Sequence, residues 1–347
     1  MSGHRGRVAP VRNRGDRRGP SGRRTGEDGE PMNVPPAEFR SYYGRPILKA
    51  PVWTHDVPAY LFTGGLAAGS SLLAAGADLT GRPGLRRTGR LTSLAALGAS
   101  AYFLINDLGR PERFHHMLRV AKPTSPMSVG AWILTAFGPA AGVAAAAELA
   151  AALPRRGVLG LVRRVLPPAG RAAGVAAAGI APALATYTAV LIADTAVPSW
   201  HEAYPDLPFV FAGSALASAA GVGLAAAPVA ETGPARRLAL AGTAMELAAV
   251  QRIEARLGLL GEPYRAGHAG RLLGLGRALA VAGVAGALLG RRSRALSALA
   301  GASLVAAAAA TRFGIYAGGV ASARDPKYTV LPQRERVDEG RPARDAG

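Results

Sequence analysis

Apolar residues in this chain are gathered into long blocks from which charge is almost excluded. Residues 57–79 and 298–310 consist mainly of Ala, Leu, Gly and Val, and charged residues cluster in short segments between such blocks. A helix needs about 20 apolar residues to cross roughly 30 Å of hydrocarbon. The pattern therefore predicts helices in a lipid bilayer. A soluble, Ala-rich helical bundle is the alternative that the composition leaves open.

Windows of sufficient length follow one another along the whole chain. They are residues 56–78, 87–106, 127–152, 172–193, 208–229, 235–257, 271–290 and 295–318. The sequence thus predicts an all-α integral membrane protein with eight transmembrane helices. Small residues four positions apart favour close helix contact in lipid. Such pairs are Gly65 and Gly69, Gly138 and Gly142, Gly286 and Gly290, and Gly314 and Gly318.

The chain is strongly basic, with 41 Lys and Arg against 22 Asp and Glu and a net charge of +19. The basic residues lie in an N-terminal tail and between the apolar windows, which argues for membrane topology and against a nucleic-acid partner. The tail, residues 1–50, is rich in Arg, Gly and Pro and is predicted to be disordered. It lacks the apolar run of a secretory signal, so the first helix is expected to target the protein to the cytoplasmic (inner) membrane.

Redox groups carried by the chain itself are restricted by its composition. The sequence contains no cysteine, which excludes disulfides, thiolate zinc sites and iron–sulfur clusters ligated by its own thiolates. A b-type haem needs paired histidines within the helices, and no histidine lies near the middle of a window. Electrons carried on iron–sulfur clusters must therefore belong to a partner.

The connections between windows predict how the chain sits in the membrane. With eight spans, both termini and the connections 107–126, 194–207 and 258–270 share one side, here called the proximal face. Basic residues are far fewer in these connections than in those of the opposite, distal face. The bias of basic residues toward cytoplasmic loops places the distal face inside and both termini outside. The basic N-terminal tail argues the opposite way.

Titratable residues are concentrated on the predicted proximal face. Its histidines are His55, His115, His116, His201 and His268. Acidic residues follow the same trend, with Asp107, Asp194 and Glu262 among them. This face is therefore expected to carry the titratable chemistry.

The first window opens with Asp56 and Tyr60, which are four residues apart and so share a helix face just inside the bilayer. A carboxylate and a hydroxyl there could bond the carbonyl groups of a quinone. Tyr187 lies in the fourth window and could face both residues in a bundle of the first four helices. The alternatives are an interfacial aromatic belt that includes Tyr60, a helix cap at Asp56, and a Tyr187 hydroxyl bonded to a neighbouring carbonyl.

The second window ends in the segment 107–113, where glycine and proline stop the helix. The arginines of this segment can pair with acids of the same loop, extend toward the interface, or meet an acidic partner protein. We assign Arg110, Arg113, His115 and His116 to a partner surface on the proximal face.

Charged residues also fall inside the last three windows. They are Glu246, Arg252, Glu254, Arg277 and Arg312. An unpaired charge at such depth is costly, so these side chains should pair or line a wet cavity. Arg277 is predicted to pair with Glu254 or Glu246. A proton path and a set of static ion pairs are both compatible with the sequence.

Several segments together resemble the NrfD/PsrC family, the membrane subunits of polysulfide reductases and related enzymes. They are residues 60–70, 106–114, 125–132, and 198–200 with 207–209. The tail segment 322–333 resembles family members found beside formate dehydrogenases. The resemblance spans residues 50–333, and its specific strings are Asp-Leu-Gly-Arg-Pro and Ser-Pro-Met-Ser-x-Gly-x-Trp.

The resemblance implies two four-helix bundles, residues 51–195 and 196–320, followed by a C-terminal tail, residues 321–347. It implies that the chain holds no haem, metal or iron–sulfur cluster, has no catalytic residue of its own, and binds menaquinone or ubiquinone in the first bundle. The quinone-binding residues would be His55, Asp56, Tyr60, Asp107 and Tyr187. The partners would be a four-cluster, ferredoxin-like iron–sulfur subunit and a molybdopterin catalytic subunit.

The chain is thus expected to be the membrane-anchoring, quinone-reactive subunit of a formate dehydrogenase-like or polysulfide reductase-like oxidoreductase. Asp56 and Tyr60 depart from the Asn/His pair associated with polysulfide reductases, which leaves the quinone type and the direction of electron flow open. Two other functions are compatible with the sequence. A secondary transporter should show an internal repeat with broken helices, and no convincing repeat is evident. A purely structural anchor would tolerate loss of Asp56, Tyr60 and Tyr187.

Overall fold

The computed structural model describes residues 46–338, and their regular structure is helical, with no strand among them. The helices are α1 (Asp56–Leu79), α2 (Pro83–Asn106), α3 (Pro126–Leu149), α4 (Gly157–Ala193), α5 (Pro198–Glu202), α6 (Leu207–Ala226), α7 (Gly233–Arg256), α8 (Glu262–Arg265), α9 (Gly267–Leu289), α10 (Arg294–Arg324) and α11 (Lys327–Asp338). Most of the tail predicted to be disordered, residues 1–45 of 1–50, lies outside the described residues, as do residues 339–347.

The apolar character of the helices supports a multi-pass membrane protein. Those long and apolar enough to cross a membrane are α1, α3, α4, α6, α9 and α10. A seventh crossing is reached if α2 is joined to the 3₁₀ segment Pro111–Leu118, although the two are bent by 107°. α7 is long enough to cross a membrane but is not among these apolar helices, because charged residues interrupt it along its length. Every predicted window coincides with a long helix, but membrane crossing by α2 and α7 remains a prediction.

Several helices extend beyond the windows predicted from hydropathy. α4 begins at Gly157 and α2 at Pro83, so that arginines predicted in distal loops lie in the first turns of helices. α10 continues to Arg324, and the predicted boundary at residue 320 therefore falls inside it. α11 occupies much of the predicted C-terminal tail. A hydropathy window ends where charge begins, whereas a helix continues for as long as its backbone hydrogen bonds are satisfied.

Consecutive long helices form the main packed pairs, α1 with α2, α3 with α4, α6 with α7 and α9 with α10. α1 also packs against α4 and α6, and α6 also packs against α10. The candidate spans in α1 and α6 are 72% and 67% buried, more than those of the other helices. These two helices therefore form the centre of the assembly, and the others present more of their surface to lipid.

Glycines permit the closest contacts between helices. A Cβ atom placed on Gly69 of α1 would lie 2.2 Å from the carbonyl oxygen of Ala215 in α6. The predicted pairs that lie at helix contacts are Gly65 and Gly69, Gly286 and Gly290, and Gly314 and Gly318. The prediction of a close helix contact is wrong for Gly138 and Gly142. A Cβ on Gly138 would have its nearest neighbour at 3.7 Å, and one on Gly142 would have none within 4 Å.

A buried ion cluster joins α1, α2 and α3 near the distal face. Glu148 accepts hydrogen bonds from Arg86 Nε at 2.8 Å and Arg90 Nη1 at 2.9 Å. Asp78 pairs with the same two arginines, at 3.1 and 3.2 Å. The side chains of Arg90 and Glu148 are only 5% and 6% exposed. Asp78 and Glu148 are therefore exceptions to the predicted trend of acidic residues toward the proximal face.

The connection between α4 and α6 is anchored to α10 by α5. Trp200 is fully buried, and its indole Nε1 donates a hydrogen bond to the carbonyl oxygen of Ile315 at 2.9 Å. The indole lies against Gly319, where a Cβ atom would come within 2.0 Å of the ring. On its other side Trp200 stacks with Trp53, with ring centroids 5.9 Å apart. The tryptophan of the Pro-Ser-Trp string therefore fixes three chain segments at the proximal face.

An exposed ion pair attaches α11 to α8. Lys327 Nζ donates to Glu262 Oε2 at 2.8 Å, and both side chains are partly exposed. This hydrogen bond holds the pKa of the Glu262 carboxyl below its usual range and raises the pKa of Lys327. The pair therefore lies on the proximal surface, outside the membrane-spanning helices.

Candidate functional site

Two tyrosines from α1 and α4 meet near the proximal face. The hydroxyl groups of Tyr60 and Tyr187 are hydrogen-bonded to each other, and both side chains are buried. Their rings meet edge to face, with centroids 6.5 Å apart. The predicted proximity of these tyrosines is confirmed, whereas an interfacial belt role for Tyr60 is not, because its side chain is 4% exposed.

Gly130 of α3 gives the Tyr187 ring its space. A Cβ atom at this position would lie 2.2 Å from Cε2 and 2.7 Å from Cδ2 of Tyr187. The helix that carries Gly130 starts with a capped turn, in which Ser125 Oγ accepts a hydrogen bond from the Ser128 backbone N–H at 3.4 Å. The Ser-Pro-Met-Ser-x-Gly-x-Trp string therefore starts α3 and places a glycine beneath the tyrosine.

A cavity of about 610 Å³ opens beside Tyr187. It is lined by Pro123, Thr124, Pro126 and Val129 at the start of α3, by Tyr187, Val190, Ala193 and Asp194 at the end of α4, and by His201 and Tyr204 around α5. Most of this lining is apolar, and the polar side chains converge from α4 and the α5 segment. The cavity can therefore hold an apolar ring system and offer it a few hydrogen-bonding groups.

His201 is held in a defined orientation at this cavity. Its Nδ1 lies 3.1 Å from the carbonyl oxygen of Ala193, which can only accept a hydrogen bond. Nδ1 therefore carries the proton in the neutral ring, and Nε2 is left as an acceptor. Asp194, the next residue after Ala193, lines the same cavity. The sequence placed both residues on the proximal face but did not assign them to the site. Asp194 ends the helix that carries Tyr187, whereas the approach of His201 depends on how the α5 segment folds back.

The carboxylates of the predicted site form a second polar group, one turn closer to the proximal surface. Asn106 Nδ2 donates to Asp56 Oδ2 at 2.7 Å. The Thr54 hydroxyl lies 3.2 Å from Asp56 Oδ2 and 3.3 Å from Asp107 Oδ1, and so bridges the two acids. Asp56 belongs to the first turn of α1, and His55 occupies the N-cap position without a side-chain cap. Thr54 and Asn106 were not predicted as site residues. In the sequence, Thr54 lies two residues before Asp56, and Asn106 directly precedes Asp107.

His55 is separated from the other predicted residues. It lines a different cavity, of about 700 Å³, formed by the start of α1, the start of α9 and the end of α10. His268, Tyr316 and Arg324 line the same cavity. The structure therefore divides the five predicted residues into a tyrosine pair, a carboxylate pair and this lone histidine.

The residues assigned to a partner surface are accessible. Arg110, Arg113 and His115 are exposed, and His116 is partly buried, within or beside the segment Pro111–Leu118. The His115 and His116 rings meet edge to face at 4.5 Å between centroids. Among the ion pairs of residues 46–338, none includes Arg110 or Arg113. Pairing of these arginines within their own loop, one of the predicted alternatives, is not seen.

The charged residues predicted within the membrane differ in burial and in their partners. Arg277 pairs with Glu254 at 2.5 Å, as expected. Arg252 pairs with Asp206 at 3.1 Å at the proximal end of α7 and is 78% exposed, so it is not a buried intramembrane charge. Glu246 is 3% exposed and does not meet Arg277; its partner is the hydroxyl of Thr311.

The fold and these polar groups define a multi-pass helical membrane protein with a tyrosine hydroxyl pair beside an apolar cavity near one face. In the part of the chain that the structure describes, no group of three or more His, Asp or Glu side chains could hold a metal ion. A model of the family described as "Polysulphide reductase, NrfD" matches residues 47–256, which is more than half of the chain. The chain belongs to the NrfD family, whose members are membrane subunits that partner with iron–sulfur and molybdopterin subunits. A comparison with curated proteins gives no match.

Proposed function

We propose that this chain exchanges electrons between a partner iron–sulfur subunit and the quinone pool, as the quinone-reactive membrane subunit of a molybdopterin oxidoreductase. The observation that carries the proposal is the contact of the Tyr60 and Tyr187 hydroxyls beside the mostly apolar cavity of about 610 Å³. Ligand cavities are typically about 300–1,000 Å³ in volume and combine apolar walls with a few converging polar groups. A quinone head group, apolar except for its two carbonyl oxygens, suits such a cavity.

The polar side chains around the cavity suit the proton chemistry of a quinone. Reduction adds electrons to the ring and protons to its carbonyl oxygens, and oxidation removes both. The Tyr187 hydroxyl can donate a hydrogen bond to a carbonyl oxygen as negative charge develops there, and Tyr60 fixes the position of that hydroxyl. Asp194 and His201 offer exchangeable protons in the same cavity.

Protons have a short route between the tyrosine pair and the proximal surface. The group formed by Thr54, Asp56, Asn106 and Asp107 lies one helical turn above Tyr60 and is partly exposed. Carboxylates at such a boundary can exchange protons with solvent on one side and with buried hydroxyls on the other. We assign proton delivery to Asp56 and Asp107, and we assign no quinone contact to His55, which faces another cavity.

The depth of the tyrosine pair suits electron transfer from a partner on the proximal face. At about 1.5 Å per residue, Tyr60 and Tyr187 lie roughly 6–9 Å below the proximal ends of α1 and α4. We propose that an iron–sulfur subunit docks over the exposed segment that contains Arg110, Arg113 and His115, with His116 at its edge. An acidic patch on that subunit would match Arg110 and Arg113, which have no ion-pair partner among residues 46–338.

The finer topology also belongs to the proposal. We infer that α2 and α7 cross the membrane, which gives eight spans in two four-helix bundles, one of α1 to α4 and one of α6, α7, α9 and α10. Pairing of the α2 arginines with Asp78 and Glu148 supports this, because paired charges are tolerated within a bilayer far better than free ones. From the bias of basic residues we infer that the distal face lies in the cytoplasm. Similarity of the segment 322–333 to formate dehydrogenase-associated members favours formate as the partner's substrate.

Removal of the tyrosine hydroxyls tests this proposal. Tyr187→Phe is expected to lower quinone-dependent turnover of the purified complex by about 10–100-fold, because a positioned hydroxyl contributes on the order of 100-fold to proton transfer. Tyr60→Phe should have a smaller effect in the same direction, since it leaves Tyr187 in place. The measurement compares quinone turnover with the reduction of a water-soluble dye by the catalytic subunit, which reports that the complex is intact.

Tyr264→Phe is the matched control. Tyr264 is a buried tyrosine of α8 whose hydroxyl has no hydrogen-bond partner within the described residues. Its loss should leave quinone turnover unchanged. If Tyr60→Phe and Tyr187→Phe both retain full quinone turnover, the chain acts as a structural anchor and the proposal is wrong.

Gly130→Ala is expected to displace Tyr187 without removing a functional group. The added Cβ would lie 2.2 Å from the tyrosine ring, so the ring must move away from Gly130, which disturbs its contact with Tyr60. Quinone turnover should fall severalfold, with the KM for quinone raised. Gly142→Ala on the same helix meets no atom within 4 Å and serves as the control. Equal activity of the two variants would contradict the assigned role of the Tyr187 ring.

A further inference from the structure

Glu246 of α7 and Arg312 of α10 are buried charges at mid-depth of the helix assembly. Their exposed fractions are 3% and 1%. At about 1.5 Å per residue they lie roughly 15 and 18 Å from the proximal ends of their helices, near the middle of a bilayer about 30 Å thick. They are therefore far from the solvent that would otherwise hydrate a carboxyl group and a guanidinium.

Neighbouring helices satisfy only part of their hydrogen bonding. Glu246 Oε1 accepts from the Thr311 hydroxyl at 2.6 Å. Arg312 Nη2 donates to the carbonyl oxygen of Phe211 at 2.7 Å, and the guanidinium carbon lies 3.8 Å from the centroid of the Phe211 ring. Arg312 Nε lies 3.4 Å from Ser214 Oγ. The carboxyl and the guanidinium thus have separate partners and do not form a direct salt bridge within 4.0 Å.

Several buried polar atoms around these residues have no hydrogen-bond partner among residues 46–338. They are Glu246 Oε2, Arg312 Nη1 and Thr243 Oγ1, the last of these one helical turn from Glu246 on α7. An unmet hydrogen bond is costly in a low-dielectric interior, most of all for a charged group. A carboxyl oxygen and a guanidinium nitrogen that both lack partners therefore indicate a further ligand that can both donate and accept.

The two groups share one neighbourhood beside α6. The backbone of Glu246 packs on Gly213, where a Cβ atom would come within 2.6 Å of the Glu246 nitrogen. Arg312 reaches Ser214, the next residue of α6. Water is the ligand that suits both atoms, because water can accept a hydrogen bond from a guanidinium N–H and donate one to a carboxyl oxygen.

We propose that Glu246, Thr311 and Arg312 form a hydrated proton-exchange site, separate from the quinone cavity, that takes up and releases a proton during turnover. A proton reaches Glu246 Oε2 through bound water, which gives one proton to the carboxylate and regains one from neighbouring water, and it leaves by the reverse relay; no electron is transferred at the site. Arg312 keeps its charge and supplies the counter-charge when the carboxyl is ionised. Only the coupling to turnover rests on the proposed quinone function.

The surroundings of Glu246 make it the group that exchanges the proton. Its carboxyl group accepts a hydrogen bond from Thr311 of α10, and the charge of Arg312 lies nearby. From α6, Gly213 packs on the Glu246 backbone and Ser214 contacts Arg312. Arg277 of α9 is held by Glu254, two turns closer to the proximal face. A static ion pair would bring carboxylate and guanidinium into contact, as Arg277 and Glu254 are, whereas Glu246 keeps one oxygen open.

Infrared difference spectroscopy tests the site directly. The purified complex in lipid nanodiscs is titrated between acidic and alkaline pH, and a carboxylic-acid C=O band that titrates is expected. Glu246→Gln should abolish this band, and Glu254→Gln, on the same helix, should leave it. Thr311→Val should shift the band to higher frequency, because the carbonyl loses a hydrogen bond. An identical band in wild type and Glu246→Gln, or an unshifted band in Thr311→Val, would overturn the proposal.

Coupling to turnover is measured separately in proteoliposomes that carry the complex. Glu246→Gln is expected to remove a transient proton uptake at the onset of turnover, because the amide cannot take up the proton, while the net proton count per quinone is unchanged and quinone turnover stays within about twofold of wild type. An unchanged transient would overturn the coupling. Failure of the quinone function itself would appear differently, as lost turnover in wild type with the infrared band still present.

Discussion

Replacement of Glu148 with alanine is expected to destabilise the folded chain by about 3–5 kcal/mol, the largest loss that we predict for a single substitution. Glu148 is the shared acceptor of Arg86 and Arg90, and both Glu148 and Arg90 are nearly inaccessible. Without the carboxylate, two arginines compete for Asp78, and one buried positive charge is left without an adequate partner. The measurement is reversible unfolding of the purified chain in mixed micelles, with thermal unfolding as an independent check.

A compensating double variant separates charge from packing. Arg90→Met combined with Glu148→Leu removes one charge of each sign and leaves Arg86 paired with Asp78 at 3.1 Å. Replacement of a buried ion pair by apolar residues of similar volume is often neutral or stabilising, so most of the lost stability should return. Glu262→Ala, which breaks the exposed pair with Lys327, should have little effect. If Glu148→Ala is no more harmful than Glu262→Ala, the cluster does not stabilise the fold.

Replacement of Gly69 with alanine is expected to separate the central helices. The new Cβ atom would lie 2.2 Å from the carbonyl oxygen and 2.8 Å from the carbonyl carbon of Ala215, and backbone atoms cannot rotate out of the way as a side chain does. We expect a loss of about 2–3 kcal/mol from overpacking, even though alanine favours a helix over glycine by about 1 kcal/mol. Because α1 is also the helix that carries Tyr60, quinone turnover should fall together with stability.

Gly76 of the same helix provides the control. No atom lies within 4 Å of a Cβ placed on Gly76. Gly76→Ala should therefore be neutral or stabilising by up to about 1 kcal/mol, since only the helix propensity changes. A similar response of both variants in the unfolding measurement would show that α1 and α6 are not in close contact at Gly69.

Hydropathy located the helices well and their ends poorly. Each apolar window coincides with a long helix because lipid demands both an apolar surface and an internally bonded backbone. The start of α4 at Gly157 was missed because its first turns carry arginines, which a hydropathy window excludes. One of these, Arg163, donates to the carbonyl oxygen of Leu153 at 2.8 Å, so its charge is used to bond a neighbouring chain segment.

The candidate site was predicted in part. Asp56 and Tyr60 share a helix face by spacing, but they turn to different neighbours, Asn106 of α2 and Tyr187 of α4. That divergence follows from the position of α1 between two other helices, which spacing along one helix does not reveal. His201 was visible as a polar residue of the proximal face, and only the fold of the α5 segment brings it to the cavity beside Tyr187 and Asp194 of α4.

The sequence by itself determined that the helices lie in lipid, where they fall along the chain and to which family the chain belongs. Its lack of cysteine assigns any thiolate-held cluster to a partner. These are properties of composition and order along the chain, and they do not depend on how the helices are rotated. Only the tertiary structure decided which polar groups meet: Tyr60 with Tyr187, Glu148 with two arginines, and Glu246 with Thr311. Such contacts depend on the rotation and close approach of neighbouring helices, which small residues such as Gly69 and Gly130 permit.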